Sequence, residues 1–190
     1  MKIDGVTIRK GNVLMHKGDR LWLVVKTQHT QPGKGGAYMQ VEMKDVRDGT
    51  KLNERFRSDE KVEKVRLDQQ NYQFLYADET LLNFMDQESY EQITVNADML
   101  DEKQLPFLTD GMVVAIESYE DEPIGIELPQ HVTLEITEAD AVVKGQTASS
   151  SYKPAILENG VNILVPPHIS AGTRVVVNTE TGEYVERAKD

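Results

Sequence analysis

Residues 20–44, RLWLVVKTQHTQPGKGGAYMQVEMK, hold two strands and the loop that joins them. In Ala37–Lys44, Ala37, Met39, Val41 and Met43 fall on one face and Tyr38, Gln40, Glu42 and Lys44 on the other. Side chains alternate sides along a strand, so this is a strand with one buried face. Arg20–Thr27 is apolar on both faces, with Leu21, Leu23 and Val25 set against Trp22 and Val24, as expected for a central strand of a small barrel.

Working outward, period-2 patterns predict further short strands near Val62–Leu67, Asn71–Tyr76, Thr80–Asp86, Met112–Glu117 and Ile124–Leu128. Others are predicted near Val132–Ile136, Val161–Val165, Arg174–Asn178 and Tyr184–Arg187. Turn signals separate them at Asp48-Gly49, Asp110-Gly111, Asn159-Gly160 and Thr181-Gly182. Only Asp98–Leu108 spaces its apolar residues helically (Leu100, Leu105, Leu108), and Pro106 limits it to a turn or two. Many short strands at this spacing make an all-β chain of small barrels. Composition changes near Lys64 and the strand rhythm breaks at Pro129, so the expected units are 1–64, 65–128 and 129–190. Each is at the small end of what folds alone. The polar run Gln146–Ser151 is expected as a loop within the third.

With 190 residues, 39% hydrophobic and 28% charged, the chain has a core to bury and no apolar surplus. Cysteine is absent, which excludes disulfides, thiolate metal sites and cysteine nucleophiles. The longest apolar runs, Leu21–Val25 and Met112–Ile116, are far too short to span a membrane. The start, Met1-Lys2-Ile3-Asp4-Gly5, has no apolar stretch of a signal peptide, so a cytoplasmic location is expected. The net charge of −11 is unevenly spread. Residues 1–64 carry 14 Lys and Arg against 9 Asp and Glu, residues 65–128 carry 2 against 15, and residues 129–190 carry 5 against 8. The basic first third suits phosphates, and the acidic middle should face away from them or simply keep the chain soluble.

Enzyme motifs are missing. His16, His29, His131 and His168 lie too far apart for a local metal motif, and there is no Gly-x-Ser-x-Gly elbow or His-Glu-x-x-His helix. No catalytic residue, metal or cofactor is expected. Gly33-Lys34-Gly35 fails as a phosphate loop because no Ser or Thr follows the lysine and no helix follows the loop. What remains is the loop itself, Gln31-Pro32-Gly33-Lys34-Gly35-Gly36-Ala37. Proline fixes its entry, three glycines permit positive φ, and one long cation stands at the tip. Taken alone it reads as an ordinary hairpin tip with a solvated lysine. Against that stands the lack of bulk around Lys34, which lets the tip enter a narrow space. Its ammonium, a mobile point charge, is suited to phosphates or to acylation.

At this loop the sequence resembles the bacterial elongation factor P family, homologous to the hypusine-bearing eukaryotic translation factor. The likeness continues through Val143-Lys144-Gly145-Gln146-Thr147-Ala148, Lys153-Pro154-Ala155, Gly160, Val165-Pro166, Gly172, the Val175/Val177 alternation and Gly182-Glu183-Tyr184-Val185. It covers essentially the whole chain. It implies a KOW/SH3-like barrel followed by two OB-folds, in an L-shaped arrangement that resembles tRNA.

The resemblance implies a factor that binds the ribosome between the peptidyl-tRNA and exit sites and stimulates peptide-bond formation at consecutive prolines. Its partners would be the ribosome, peptidyl-tRNA and a lysine-modifying enzyme, with no membrane, and the chain is expected to be a monomer. Lys34 matches the tip residue that many members extend covalently, often with a β-lysyl group. Pro32, Gly33, Gly35 and Gly36 would shape the tip, and Tyr38 would anchor the strand behind it. Gly145, Gln146 and Thr147 match a loop that approaches the exit-site codon in some relatives. Many members carry Asp where this chain has Gln146. Tyr184 and Arg187 match residues implicated in ribosome or mRNA contact, and each also reads as structural: a barrel-core aromatic and a solvated charge. Two other classes stay open, a paralogue serving a narrower set of messages and a general OB-fold RNA-binding protein. The third unit has few aromatics and only five basic residues, which speaks against the latter.

Overall fold

The computed structural model describes residues 1–141 and 151–189, so the expected loop Gln146–Ser151 lies outside the described residues except for Ser151. Sixteen strands there form three sheets. The first holds β1 (Lys2–Asp4), β2 (Val13–Met15), β3 (Leu21–Thr30), β4 (Tyr38–Asp45), β5 (Lys51–Arg57) and β6 (Lys61–Val65), in the order β1-β6-β2-β3-β4-β5. The second holds β7 (Asp68–Asp78), β8 (Leu81–Asp86), β9 (Gln92–Asn96), β10 (Val113–Tyr119) and β11 (Glu122–Glu127), in the order β11-β10-β7-β8-β9. The third holds β12 (His131–Ala139), β13 (Lys153–Leu157), β14 (Asn162–Val165), β15 (Arg174–Asn178) and β16 (Tyr184–Arg187), in the order β14-β13-β12-β15-β16. Among the described residues, helix is confined to short 3-10 turns. Two of them, Ala97–Met99 and Leu105–Phe107, stand where one short helix is expected, with Pro106 at the start of the second.

The chain divides into two compact units. One is Met1–Gln69 with Glu117–Gly125; the other is Gln70–Ile116 with Ile126–Asp190. In the first, Trp22, Met43, Val41, Phe56, Leu14 and Ile8 form the core. Trp22 meets its one polar obligation there by donating from Nε1 to the His16 carbonyl at 2.9 Å. The turn between β10 and β11 belongs to this unit, and Arg47 Nη2 donates to Glu122 Oε2 at 3.0 Å. In the second unit one apolar core joins the second and third sheets: Phe74, Phe84 and Phe107 share a cluster with Ile136, Leu157 and Val175.

The structure corrects the expectation that β3 is buried on both faces. Leu21, Trp22 and Val24 are buried, but Leu23 is 38% exposed. A bulge explains the double apolar pattern: Val24 pairs with Met43, and the next pair is Lys26 with Glu42. The extra residue moves the face shared with the core from Trp22 and Val24 to Thr27, half-buried opposite Val41, and His29, exposed opposite Met39.

Each sheet also contains the same hairpin turn. Its first residue is Asp45, Asp86 or Asn178, whose side-chain Oδ1 accepts from the backbone N–H groups two and three residues on, at 2.7–3.3 Å. The carbonyl of that residue accepts from the N–H of Gly49, Tyr90 or Gly182 at 2.8–3.0 Å. Hydrogen bonds to the charged form, the Glu88 N–H first, hold the Asp86 carboxyl below its ordinary value. The closing residue is left-handed in all three, at φ +74° for Gly49, +60° for Tyr90 and +73° for Gly182. A side chain there costs ~1–2 kcal/mol, against ~0.5–1 kcal/mol for the greater unfolded-state freedom of glycine. Tyr90 is 70% exposed and buries little in return. Tyr90→Gly is therefore expected to stabilise the protein by about 0.5–1 kcal/mol in urea unfolding. A loss of stability would show that the Tyr90 ring makes contacts worth more than the strain.

Candidate functional site

The β3–β4 hairpin stays paired to its last rung, Thr30 with Tyr38, so residues 31–37 form a loop on a continuous two-stranded stem. Gly33, Lys34, Gly35 and Gly36 are exposed, and Pro32 is half-buried. Of the three glycines expected to permit positive φ, only Gly35 uses it, at +113°. A Cβ at Gly33 or Gly36 would meet nothing within 4 Å, so those two contribute absence of bulk and not a required conformation. Lys34 makes no hydrogen bond or ion pair with another described residue. It is a free ammonium on a flexible side chain, held out by a backbone that is ordered up to the loop.

The base of the loop is held from one side. Ser58 N–H donates to the Ala37 carbonyl at 3.0 Å, and Ser58 Oγ lies 3.4 Å from His29 Nε2. Tyr38, expected as an anchor, is half-buried, and the Arg55 guanidinium sits 4.2 Å from its ring centroid. That distance is within cation–π range. Register places Thr30, Tyr38 and Arg57 in one row across the sheet, with Gln28, Gln40 and Arg55 in the next and Lys26, Glu42 and Asn53 beyond. These rows are the outer, polar face of the sheet, opposite Met39, Val41 and Phe56. Nothing in the sequence pattern alone marks Arg55 and Ser58 as neighbours of the loop; the β4–β5 register brings them there.

Gly145, Gln146 and Thr147 lie outside the described residues. Tyr184 opens β16 opposite Val177, half-buried at the margin of the core, and meets Tyr152 edge-on with centroids 6.4 Å apart. Burial pushes its phenol upward first, and then Tyr152 and Glu186 add to the shift. Arg187, opposite Val175, is exposed. The Tyr184 ring therefore packs at the barrel margin, while the Arg187 side chain is exposed.

Fold and loop together define a class: an all-β protein of small barrels that presents an exposed lysine on a stiffened hairpin tip. Three family models divide the chain between them. The elongation factor P KOW-like domain matches residues 5–62, the elongation factor P OB domain residues 67–126, and the elongation factor P C-terminal model residues 132–187. Elongation factor P from Zymomonas mobilis subsp. mobilis is 62% identical over 188 residues, covering 99% of this chain and 100% of that protein. Elongation factor P from Erythrobacter litoralis is 61% identical with the same coverage. Among solved structures, eukaryotic translation initiation factor 5A from Methanococcus jannaschii aligns over 68% of this chain and 92% of its own, with a TM-score of 0.54 and 21% identity, a likeness of fold. The chain belongs to the elongation factor P family of translation factors. Among the described residues, no helix is long and apolar enough to cross a membrane.

Proposed function

We propose that this translation factor works in the cytoplasm on the ribosome, between the peptidyl-tRNA and exit sites, and speeds peptide-bond formation where consecutive prolines stall it. Proline locks φ and constrains the nascent chain, so the reacting ends are badly placed. The factor supplies orientation and no acid–base chemistry of its own: Lys34 reaches the CCA end of peptidyl-tRNA and holds it in register. A tenfold gain needs about 1.4 kcal/mol off the barrier, within the range of a few ordered contacts. A separate enzyme extends the Lys34 amine, for example with a β-lysyl group, before the factor acts.

One observation carries this reading: Lys34 is exposed and unpaired among the described residues, flanked by glycines with open space around them, at the end of a paired stem. Gly145, Gln146, Thr147, Tyr184 and Arg187 are proposed as further contacts with the ribosome or message. The test is synthesis of a triproline peptide on purified ribosomes with protein from its native host, beside a proline-free message. Acceleration confined to the triproline message is expected. No acceleration by the natively modified protein would overturn the reading and favour a paralogue serving other messages.

A further inference from the structure

The stem that carries Lys34 has support on one side only. Strand β2 pairs with β3 at Leu21, Trp22 and Leu23, and backbone hydrogen bonds with Gly11 and Asn12 carry this support one residue further, to Val24. Among the described residues, β3 from Lys26 to Thr30 pairs with β4 alone, whereas β4 is paired with β5 along its length, from Lys44–Lys51 to Tyr38–Arg57. The direction of the tip is therefore set from β5. Besides the approach of Ser58 Oγ to His29, two contacts reach the loop's base from that strand and its end: Ser58 N–H to the Ala37 carbonyl, and the Arg55 guanidinium on the Tyr38 ring. The first fixes the backbone where the loop ends and β4 begins. The second is diagonal, since Arg55 is directly opposite Gln40 and leans one rung along the strand toward the tip. Diagonal neighbours in a sheet are within reach of long and aromatic side chains.

We infer that Arg55 is a positioning residue for Lys34. By covering the Tyr38 ring it stiffens the last rung of the hairpin, so that the lysine is delivered in one direction and not over a cone of them. From Ala37 back toward the tip the chain is glycine-rich and makes few contacts of its own, so any freedom at the Tyr38 rung is passed on to the tip. The inference rests on the proposed orienting role of Lys34. Orientation is sensitive to such freedom, because displacements on the ångström scale can cost a reaction up to about 100-fold. Arg55 is exposed and its ring contact is on the solvent side, so its loss removes little of the core.

The test compares wild type with Arg55→Ala, Arg55→Lys and Tyr38→Leu by two readouts. The first is backbone amide order parameters at Ala37, Tyr38, Gly35 and Gly36. In Arg55→Ala and Tyr38→Leu the Ala37 and Tyr38 values are expected to fall from the rigid range near about 0.85 toward about 0.6, and Arg55→Lys, which keeps a cation on the ring, to recover most of the loss. The second is triproline synthesis against factor concentration. Both brace-breaking variants are expected to lower the maximal rate by about three- to tenfold while the half-saturating concentration stays within about twofold, since binding of the whole factor is untouched. Unchanged order parameters, or lowered order with an unchanged maximal rate, would overturn the inference. So would a loss confined to half-saturation, which would make Arg55 a plain binding cation. If wild type itself fails to accelerate synthesis, the functional proposal falls, and the order parameters alone decide whether Arg55 braces the loop.

Discussion

Lys34→Ala is expected to abolish the acceleration of triproline synthesis, by more than about tenfold, and to leave the melting temperature of the protein where it was. The two halves of that expectation come from the same observation. Lys34 is exposed and makes no hydrogen bond or ion pair with another described residue, so its removal takes nothing from the fold. Surface changes of this kind stay within about 0.5 kcal/mol. Whatever the side chain contributes must be made outside the protein, which is where an orienting contact would lie. A clear drop in melting temperature would give Lys34 a structural role and undercut the proposal.

Lys34→Arg sharpens the result. Arginine keeps the charge but removes the primary amine that an acylating enzyme needs. If the amine matters as the attachment point of an extension, Lys34→Arg is as inactive as Lys34→Ala, and the intact mass of the wild-type protein from its host exceeds that of its sequence. If charge alone positions the tRNA end, Lys34→Arg retains most of the activity and no added mass is required. The first outcome is expected, because a lysine flanked by glycines is open to an enzyme from every side.

The clearest strand in the sequence is β4, where Met39, Val41 and Met43 alternate and all face the core. Of the five strands that the sequence pattern misses, β1 and β2 have three residues each, too few to show a period, and the other three each have a local reason. Strand β5 has one fully buried residue, Phe56, among Lys, Glu and Arg, so its pattern reads as solvent. Strand β13 begins Lys153-Pro154, and proline argues against a strand; it is tolerated because β12 pairs only as far as Ala139 opposite Ala155. Strand β9 was hidden by its turn. The turns at Asp48-Gly49 and Thr181-Gly182 announce themselves by glycine, whereas the matching turn at 86–91 carries Tyr90 in the left-handed position. The signal that finds all three is the Asp or Asn four residues earlier, not the glycine. The same division holds at the site. Lys34 and its glycines are contiguous and therefore legible, whereas the brace from Arg55 and Ser58 depends on a register between strands that no local pattern encodes.

Gly5→Ala is expected to have the largest effect on stability, about 2–3 kcal/mol or more, and it tests how the first barrel is closed. Gly5 opens a 3-10 turn against the end of β5, with its N–H donating to the Glu60 carbonyl at 2.8 Å and the Val6 N–H to the Ser58 carbonyl at 3.1 Å. A Cβ at Gly5 would stand 2.2 Å from the Arg57 carbonyl oxygen and 3.3 Å from Phe56 Cβ. The obstacle is backbone and cannot swing aside like a side chain. That carbonyl already accepts from the Glu60 N–H at 3.1 Å, so moving it costs a hydrogen bond as well as strain. The neighbouring Phe56 is 1% exposed and fixed in the core. Gly33→Ala is the control: its Cβ meets nothing within 4 Å and its φ is not left-handed, so its stability is expected to stay within about 0.5 kcal/mol of wild type. Urea unfolding of the two variants beside wild type measures the difference. The consequence reaches the tip, because the end of β5 that must yield to an alanine continues into Ser58, whose N–H holds the Ala37 carbonyl. In Gly5→Ala that remains folded, the maximal rate of triproline synthesis is therefore expected to fall along with stability. A variant as stable as wild type would mean that the turn at Gly5–Thr7 moves away from β5 at little cost. Closure of the barrel would then rest on the pairing of β1 with β6 and not on this contact.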